Sequence, residues 1–260
     1  MNAPALVLIL AGSRGGKDAV AAAVGVSHKA LAKVAGVPML ERVTDVWREA
    51  LPDARLAVAI DRSAEIDALI AHLRERGPLD LVPPGASPAA TVAAALARFP
   101  PPILIATSDH PLLTAEMVRH FLAALPPDTG AAAAVARRET VEAAHKTRRT
   151  YWRFADGEVS GCNLFYLGPK GAEAAVAFWR TLEADRKKPL KVVRRLGFGT
   201  LVRFALGRLT LGDALSRLGA RIGAELAAVD MPFAEAAIDV DRPSDLALAE
   251  TVLKARRPCA

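Results

Sequence analysis

The stretch that decides the fold is Pro4-Ala5-Leu6-Val7-Leu8-Ile9-Leu10 followed by Ala11-Gly12-Ser13-Arg14-Gly15-Gly16-Lys17. Seven apolar residues in a row, broken by a glycine-rich turn, read as a buried strand that ends in a loop. Glycines let backbone N–H groups come close to an anion, and Arg14 with the later Lys29 would balance its charge. A short glycine motif is weak on its own. The rest of the chain therefore has to supply the remainder of any phosphate site.

Working outward, the same alternation repeats. Pro38 to Leu51 places Met39, Leu40, Val43, Val46 and Trp47 at helical spacing. Arg55 to Ile60 is a strand closed by Asp61, and Ala64 to Arg76 is a helix stopped by Gly77-Pro78. Leu79 to Val82 is a third strand, and Pro83 to Pro88 a turn before the helix Ala90 to Phe99. Pro102 to Thr107 is a fourth buried strand, ending at Ser108-Asp109-His110-Pro111, with Thr114 capping the next helix. Strands and helices in alternation predict an α/β chain: a three-layer αβα, Rossmann-like fold around a mostly parallel mixed sheet. Ligands of such sheets bind beyond the carboxyl ends of the strands, where both Gly12 and Asp109 fall.

The second half is less regular. Ala131 to Ala136, Thr150 to Phe154, Asn163 to Leu167 and Leu226 to Val229 read as strands, and Gly171 to Leu182 as a helix. Ala237 to Val240 reads as a short strand ending at Asp241-Arg242-Pro243, ahead of a closing helix from Ser244 to Lys254. Arg186 to Gly212 carries eight Lys or Arg and no acid, with apolar residues at roughly helical spacing. With no internal repeat or linker, the economical reading is one domain over 1–260 with a basic helical insertion at about 186–223.

Composition narrows the classes. A 260-residue chain that is 52% hydrophobic buries a sizeable core. The formal net charge of +6 suits an anionic ligand but, with no motif, does not imply nucleic acid. Two distant cysteines, Cys162 and Cys259, argue against a disulfide framework or a cysteine zinc site. The N-terminal apolar run is too short for a membrane span and has no basic residues before it. It reads as a strand, which makes the cytoplasm the default compartment.

Three further pieces bear on chemistry. Asp109 ends a buried strand, where a carboxylate needs solvent, a partner or a cation; Mg²⁺ is held by one or two carboxylates plus substrate phosphates. Asp239 and Asp241 alternate, so they share a face if the segment is extended. Helix capping is the competing reading for Asp109 and Asp241. The turn around Gly85 and Ser87, followed by Thr91, offers backbone groups and hydroxyls to a base and ribose; otherwise it is an ordinary turn and cap.

In order and spacing these pieces resemble the MobA-like nucleotidyltransferases, which have a GT-A-type fold and include molybdenum-cofactor and cobinamide-phosphate nucleotidyltransferases. The matching residues are Leu10-Ala11-Gly12 with Arg14, Lys29-Ala30-Leu31, and Gly36-Val37-Pro38-Met39-Leu40. They continue with Ser108-Asp109-His110-Pro111-Leu112 and Asp239-Val240-Asp241-Arg242-Pro243-Ser244-Asp245-Leu246. The resemblance spans nearly the whole chain outside Arg186 to Gly223. It implies transfer of a nucleoside monophosphate from an NTP, CTP or GTP, to an anionic phosphorylated acceptor, with loss of pyrophosphate. It implies nucleotide contacts from Leu10, Ala11, Gly12, Ser13, Gly85, Ser87 and Thr91, and Arg14 and Lys29 as the catalytic cations. It further implies Asp109 and Asp241, with Asp239, as ligands of a Mg²⁺ cofactor. The loop departs from the family pattern at Gly15-Gly16-Lys17-Asp18, which makes Lys17 a further candidate contact.

Asn163, Lys187 and Lys188 are candidate acceptor contacts. His110 reads as a solvated neighbour of Asp109, with orientation of that metal ligand as the alternative, and Cys162 as a small buried residue. The basic runs Arg137 to Arg153 and Arg186 to Arg208 suit an acidic acceptor, including a lipid phosphate reached by peripheral membrane contact. A solvated face is the commoner reading of such runs. Two rivals remain on sequence alone: a sugar-nucleotide glycosyltransferase of similar fold, suggested by the Asp239-Val240-Asp241 form, and a non-catalytic nucleotide-binding protein.

Overall fold

A computed structural model describes residues 6–13, 18–185 and 197–256. Arg14, Lys17, Lys187 and Lys188 lie outside the described residues. The framework strands are β1 (Leu6–Leu10), β4 (Arg55–Ala59), β5 (Asp80–Val82) and β6 (Ile103–Thr107). They pair in parallel in the order β6-β1-β4-β5, with Leu10 level with Thr107 on one side and with Ala59 on the other. The site loops after β1, β4 and β6 therefore leave the sheet at the same edge.

Alternation along β1 explains the two covering layers. Val7 and Ile9 point into a core with α2 (Met39–Ala50), α3 (Ala64–Glu75) and α5 (Ala115–Ala123). Leu6 and Leu8 point the other way, toward α4 (Pro88–Arg98) and α7 (Ala172–Asp185). All four strand residues are fully buried, each stabilising the fold by about 1.5–3 kcal/mol. Short polar side chains start the helices: Ser63, Ser87 and Thr114 accept the N–H groups of Ile66, Ala90 and Met117 at 3.2 Å.

The second half extends the sheet. β9 (Gly157–Leu167) runs antiparallel between β6 and β7 (Ala131–Arg137), and β10 (Leu226–Asp230) pairs in parallel with β7. β8 (Trp152–Phe154) pairs only with β9, turning back at Asp156-Gly157. This completes the mostly parallel mixed sheet with helices on both faces. Two helices, α8 (Phe198–Ala205) and α9 (Leu211–Ile222), follow in the basic second-half segment.

One expected strand is absent. Ala234–Ala237 is a 3₁₀ turn, and residues 238–241 are extended but join no sheet. The physical reason is that β6 already has β1 and β9 on its two sides, leaving no edge to pair with. A single bond, Val240 N–H to the Asp109 carbonyl at 2.8 Å, ties the segment to the end of β6. Ile238 and Val240 are fully buried, so the alternating pattern survives without a ladder.

Candidate active site

The first piece is the end of β1. The Ala11 N–H bonds the Ala59 carbonyl, and the Leu10 carbonyl accepts from Ser108 N–H at 3.0 Å, which closes the sheet edge under the loop. Ser13 gives both its N–H and its hydroxyl to Asp61 Oδ2, at 2.7 and 2.8 Å. Those two bonds lower the Asp61 pKa. A Cβ on Gly12 would sit 3.0 Å from Pro84 Cβ, so the Gly12 loop rests against the turn after β5. In that turn Thr91 Oγ1 donates to the Ser87 carbonyl and accepts from Gly85 N–H, at 3.0 and 2.9 Å. A Cβ on Gly85 would lie 2.9 Å from the Thr91 nitrogen, too close for a side chain. The Thr91 hydroxyl thus builds the turn; Gly12 and Gly85 keep two stretches of backbone close.

Lys29 is the centre of the second piece. It opens a 3₁₀ turn, Lys29–Leu31, whose first N–H groups are capped by His28 Nδ1 accepting from Ala30 at 3.0 Å. Burial lowers the His28 pKa, in keeping with the neutral ring that such a cap needs. Behind the turn, the hairpin β2 (Lys33–Val34) and β3 (Val37–Pro38) is closed by Ala35 and Gly36, both at positive φ, a two-residue turn that suits glycine.

Lys29 Nζ reaches Asp109 Oδ2 at 2.7 Å and Asp241 Oδ1 at 2.8 Å. One ammonium thus bridges two carboxylates from segments 80 and 212 residues away. Burial opposes the charge on Lys29, but Asp109 and Asp241 together outweigh it and raise the pKa above the usual lysine value. Thr107 donates to Asp109 Oδ1 at 2.5 Å and fixes its rotamer. Asp245 accepts from the N–H groups of Asp241 and Arg242, at 3.2 and 2.9 Å. It thereby sets the start of α10 (Pro243–Arg256) and the backbone of Asp241.

The third piece lies beside this pair. Asp239 is not on the lysine: its Oδ1 meets Arg149, and its Oδ2 accepts from Asn163 Nδ2 at 2.8 Å. A second Arg149 nitrogen donates to the Asp239 carbonyl at 2.8 Å. Asn163 has φ 51°, a left-handed conformation that few residues other than glycine tolerate. It sits where the register of β9 against β7 shifts, and this irregularity turns its amide out of the ladder toward Asp239. Arg149 is nearly buried, and its Nε has no hydrogen-bond partner among the described residues. Burial lowers its pKa, opposed by Asp245, Asp241 and Asp109.

Structure therefore brings together Lys29, Asp109 and Asp241, and sets Asp239 with Asn163 next to them. Sequence reading did not single out Arg149, which appeared only as one cation in a basic run. Asp61 appeared only as a strand terminator. His110 is not solvated: it is 2% exposed, its Nε2 lies 3.1 Å from the Glu235 carbonyl, and burial lowers its pKa to about 4. It braces the turn that delivers residues 238–241. Cys162 is buried with a raised pKa, which makes it an inert core thiol.

A divalent cation needs oxygen ligands. No cluster of three or more acidic, His or Cys side chains occurs among the described residues, so the protein alone offers no closed cage. Asp109 and Asp241 converge on one point, the donor set Mg²⁺ takes when phosphate oxygens and water supply the rest. The residues fit a shared metal between protein and nucleotide.

Comparison with known proteins agrees with the architecture. The sequence profile described as "MobA-like NTP transferase domain" matches residues 7–206. A hypothetical transferase from Thermus thermophilus is 31% identical, with TM-score 0.78 over 93% of this chain and 98% of that one. CMP:2-keto-3-deoxy-manno-octonic acid synthetase, solved with CTP, is 13% identical, with TM-score 0.60 over 97% and 99%. The 4-diphosphocytidyl-2C-methyl-D-erythritol synthase of Anaerococcus prevotii is 12% identical, with TM-score 0.58 over 96% and 95%. The last two likenesses are of fold. No curated protein matches the sequence.

Proposed function

The chain belongs to the MobA-like NTP transferase family, and from that premise we propose that it moves a nucleoside monophosphate from CTP or GTP to a phosphorylated small-molecule or lipid-phosphate acceptor, releasing pyrophosphate. The observation that carries this reading is the single ammonium of Lys29 bridging Asp109 and Asp241 at the sheet's carboxyl edge. It combines a cation for phosphate with a carboxylate pair for a metal.

In the reaction an acceptor phosphate oxygen attacks the α-phosphorus of the NTP. A new O–P bond forms, and the bond to the β-phosphate oxygen breaks with its electron pair leaving on pyrophosphate. The protein's part is to position the groups and to balance charge. The backbone at Leu10 to Ser13 and at Gly85 frames the base and ribose, with Thr91 and Ser87 holding that turn rigid. Arg14 and Lys29 meet the triphosphate. Asn163, held by Asp239 beside Arg149, is the acceptor contact in this reading. Asp109 and Asp241 would hold Mg²⁺, which when bound neutralises charge on the α-phosphate and the leaving group.

A thermal-shift series with the four NTPs, with and without Mg²⁺, tests the reading on wild type and Asp109→Ala. One NTP at a hundredfold excess over its Kd stabilises by about 2.7 kcal/mol. That shift is expected to need Mg²⁺ and to vanish in the variant. A shift with sugar nucleotides and none with NTPs would refute the proposal.

A further inference from the structure

Large apolar side chains on the surface are few and concentrated. Among the described residues five are exposed, and four of them are Trp152 on β8, Phe198 and Val202 on α8, and Leu206 at the C-cap of α8. Phe198 is 75% exposed, Leu206 62% and Trp152 60%. Scattered exposure of this kind is ordinary, whereas concentration on one ridge marks a surface that meets something apolar.

Contacts join these two elements. Phe154 of β8 stacks edge-on against Phe204 of α8, with centroids 5.5 Å apart. The Ala155 N–H bonds the Leu209 carbonyl at 2.8 Å, which fastens the end of β8 to the segment after α8. Trp152 is two residues before Phe154 on the same strand, so it stands on the α8 side. Phe198 and Val202 of α8 and Leu206 at its C-cap recur every fourth residue and form one stripe, while Phe204 lies on the opposite side, against Phe154. No residue of α8 is buried, although the helix is amphipathic.

Charge decides the occupant. Arg203 and Arg208 are exposed beside the stripe, and no acid occurs from residue 186 to residue 212. An apolar helical stripe with flanking cations is the composition of an element that lies in the interface plane of an anionic bilayer. We propose that this ridge is a docking surface for an anionic lipid membrane. The inference stands whether or not the nucleotidyl reaction is as proposed.

The experiment is co-sedimentation of the full chain with vesicles of phosphatidylcholine alone, or with about one-third phosphatidylglycerol. Binding is expected to the anionic vesicles at about tenfold or more the neutral level, falling as salt rises. The double variant Phe198→Glu, Leu206→Glu changes only exposed side chains and should lose that binding while keeping its circular dichroism and Tm. Arg203→Glu with Arg208→Glu, which leaves the stripe intact, should abolish the preference for anionic lipid. Failure of wild type to bind anionic vesicles, or undiminished binding by the Phe198/Leu206 variant, would overturn the proposal. So would lipid-free dimerisation, seen by light scattering and abolished by that same variant, because it would make the ridge a contact between copies.

Discussion

Replacing Lys29 with Met is expected to weaken the free protein while strengthening its response to Mg²⁺. The substitution removes a partly buried, charge-assisted bond to Asp109, worth about 2 kcal/mol. It also removes a bond to Asp241, whose side chain is 64% exposed, worth about 0.5 kcal/mol. Relief of the desolvation that burial imposes on the ammonium returns about 1 kcal/mol. The net loss of about 1.5 kcal/mol lowers Tm by roughly 3–6 °C at this chain length. In wild type the ammonium stands between the two carboxylates, so a divalent ion has to displace it. Without it, the pair should bind Mg²⁺ about tenfold more tightly, a difference of about 1.4 kcal/mol. At a Mg²⁺ concentration tenfold above the variant's Kd, the variant gains about 1.4 kcal/mol and wild type about 0.4 kcal/mol. Scanning calorimetry without nucleotide, in EDTA and in Mg²⁺, reads both effects, and pyrophosphate release should be lost in the variant. Equal Mg²⁺ shifts in the two proteins would mean the carboxylate pair is not the metal site. An unchanged Tm in EDTA would mean the ion pair contributes nothing.

Two other sites carry predictions. Asn163→Gly keeps the left-handed backbone but loses the bond to Asp239, and should cost about 1–2 kcal/mol; Asn163→Ala adds about 1 kcal/mol of backbone strain. Urea midpoints compare them, and an Ala variant no worse than Gly would show that φ does not select the residue. His110 should make the fold acid-sensitive. Its folded pKa, about 4, lies below the 6.5 of the unfolded chain, so between those values the unfolded state binds more protons and stability falls as pH falls. The full window is worth about 3 kcal/mol, and His110→Gln should flatten that part of the stability–pH curve; an unaltered slope would refute the assignment.

What sequence made legible follows from how strongly burial constrains a residue. β1, β4 and β6 are covered on both faces, so each reads as an unbroken apolar run, and their ends mark the site loops. The Ala237 to Val240 run is also mostly apolar, broken by Asp239, yet it forms no strand because both sides of β6 are taken, a fact of topology that no local pattern carries. His110 follows the same logic: its burial depends on Glu235, 125 positions away.

Arg149 shows the limit most clearly. In the chain it is one of several cations between Arg137 and Arg153, and nothing nearby distinguishes it from Arg148. Only the fold selects it, by bringing Asp239, itself held by Asn163, to its head group and leaving its Nε without a partner among the described residues. A charge run becomes informative once each member's partner is known. Arg138 is matched by Glu142 and Glu158, and Arg153 by Glu158, whereas the nearly buried Arg149 is anchored on Asp239. The same sorting separates Arg203 and Arg208, exposed beside an apolar stripe, from cations that merely solvate a helix. A charge in this chain is therefore read less from its residue type than from the partners the fold gives it.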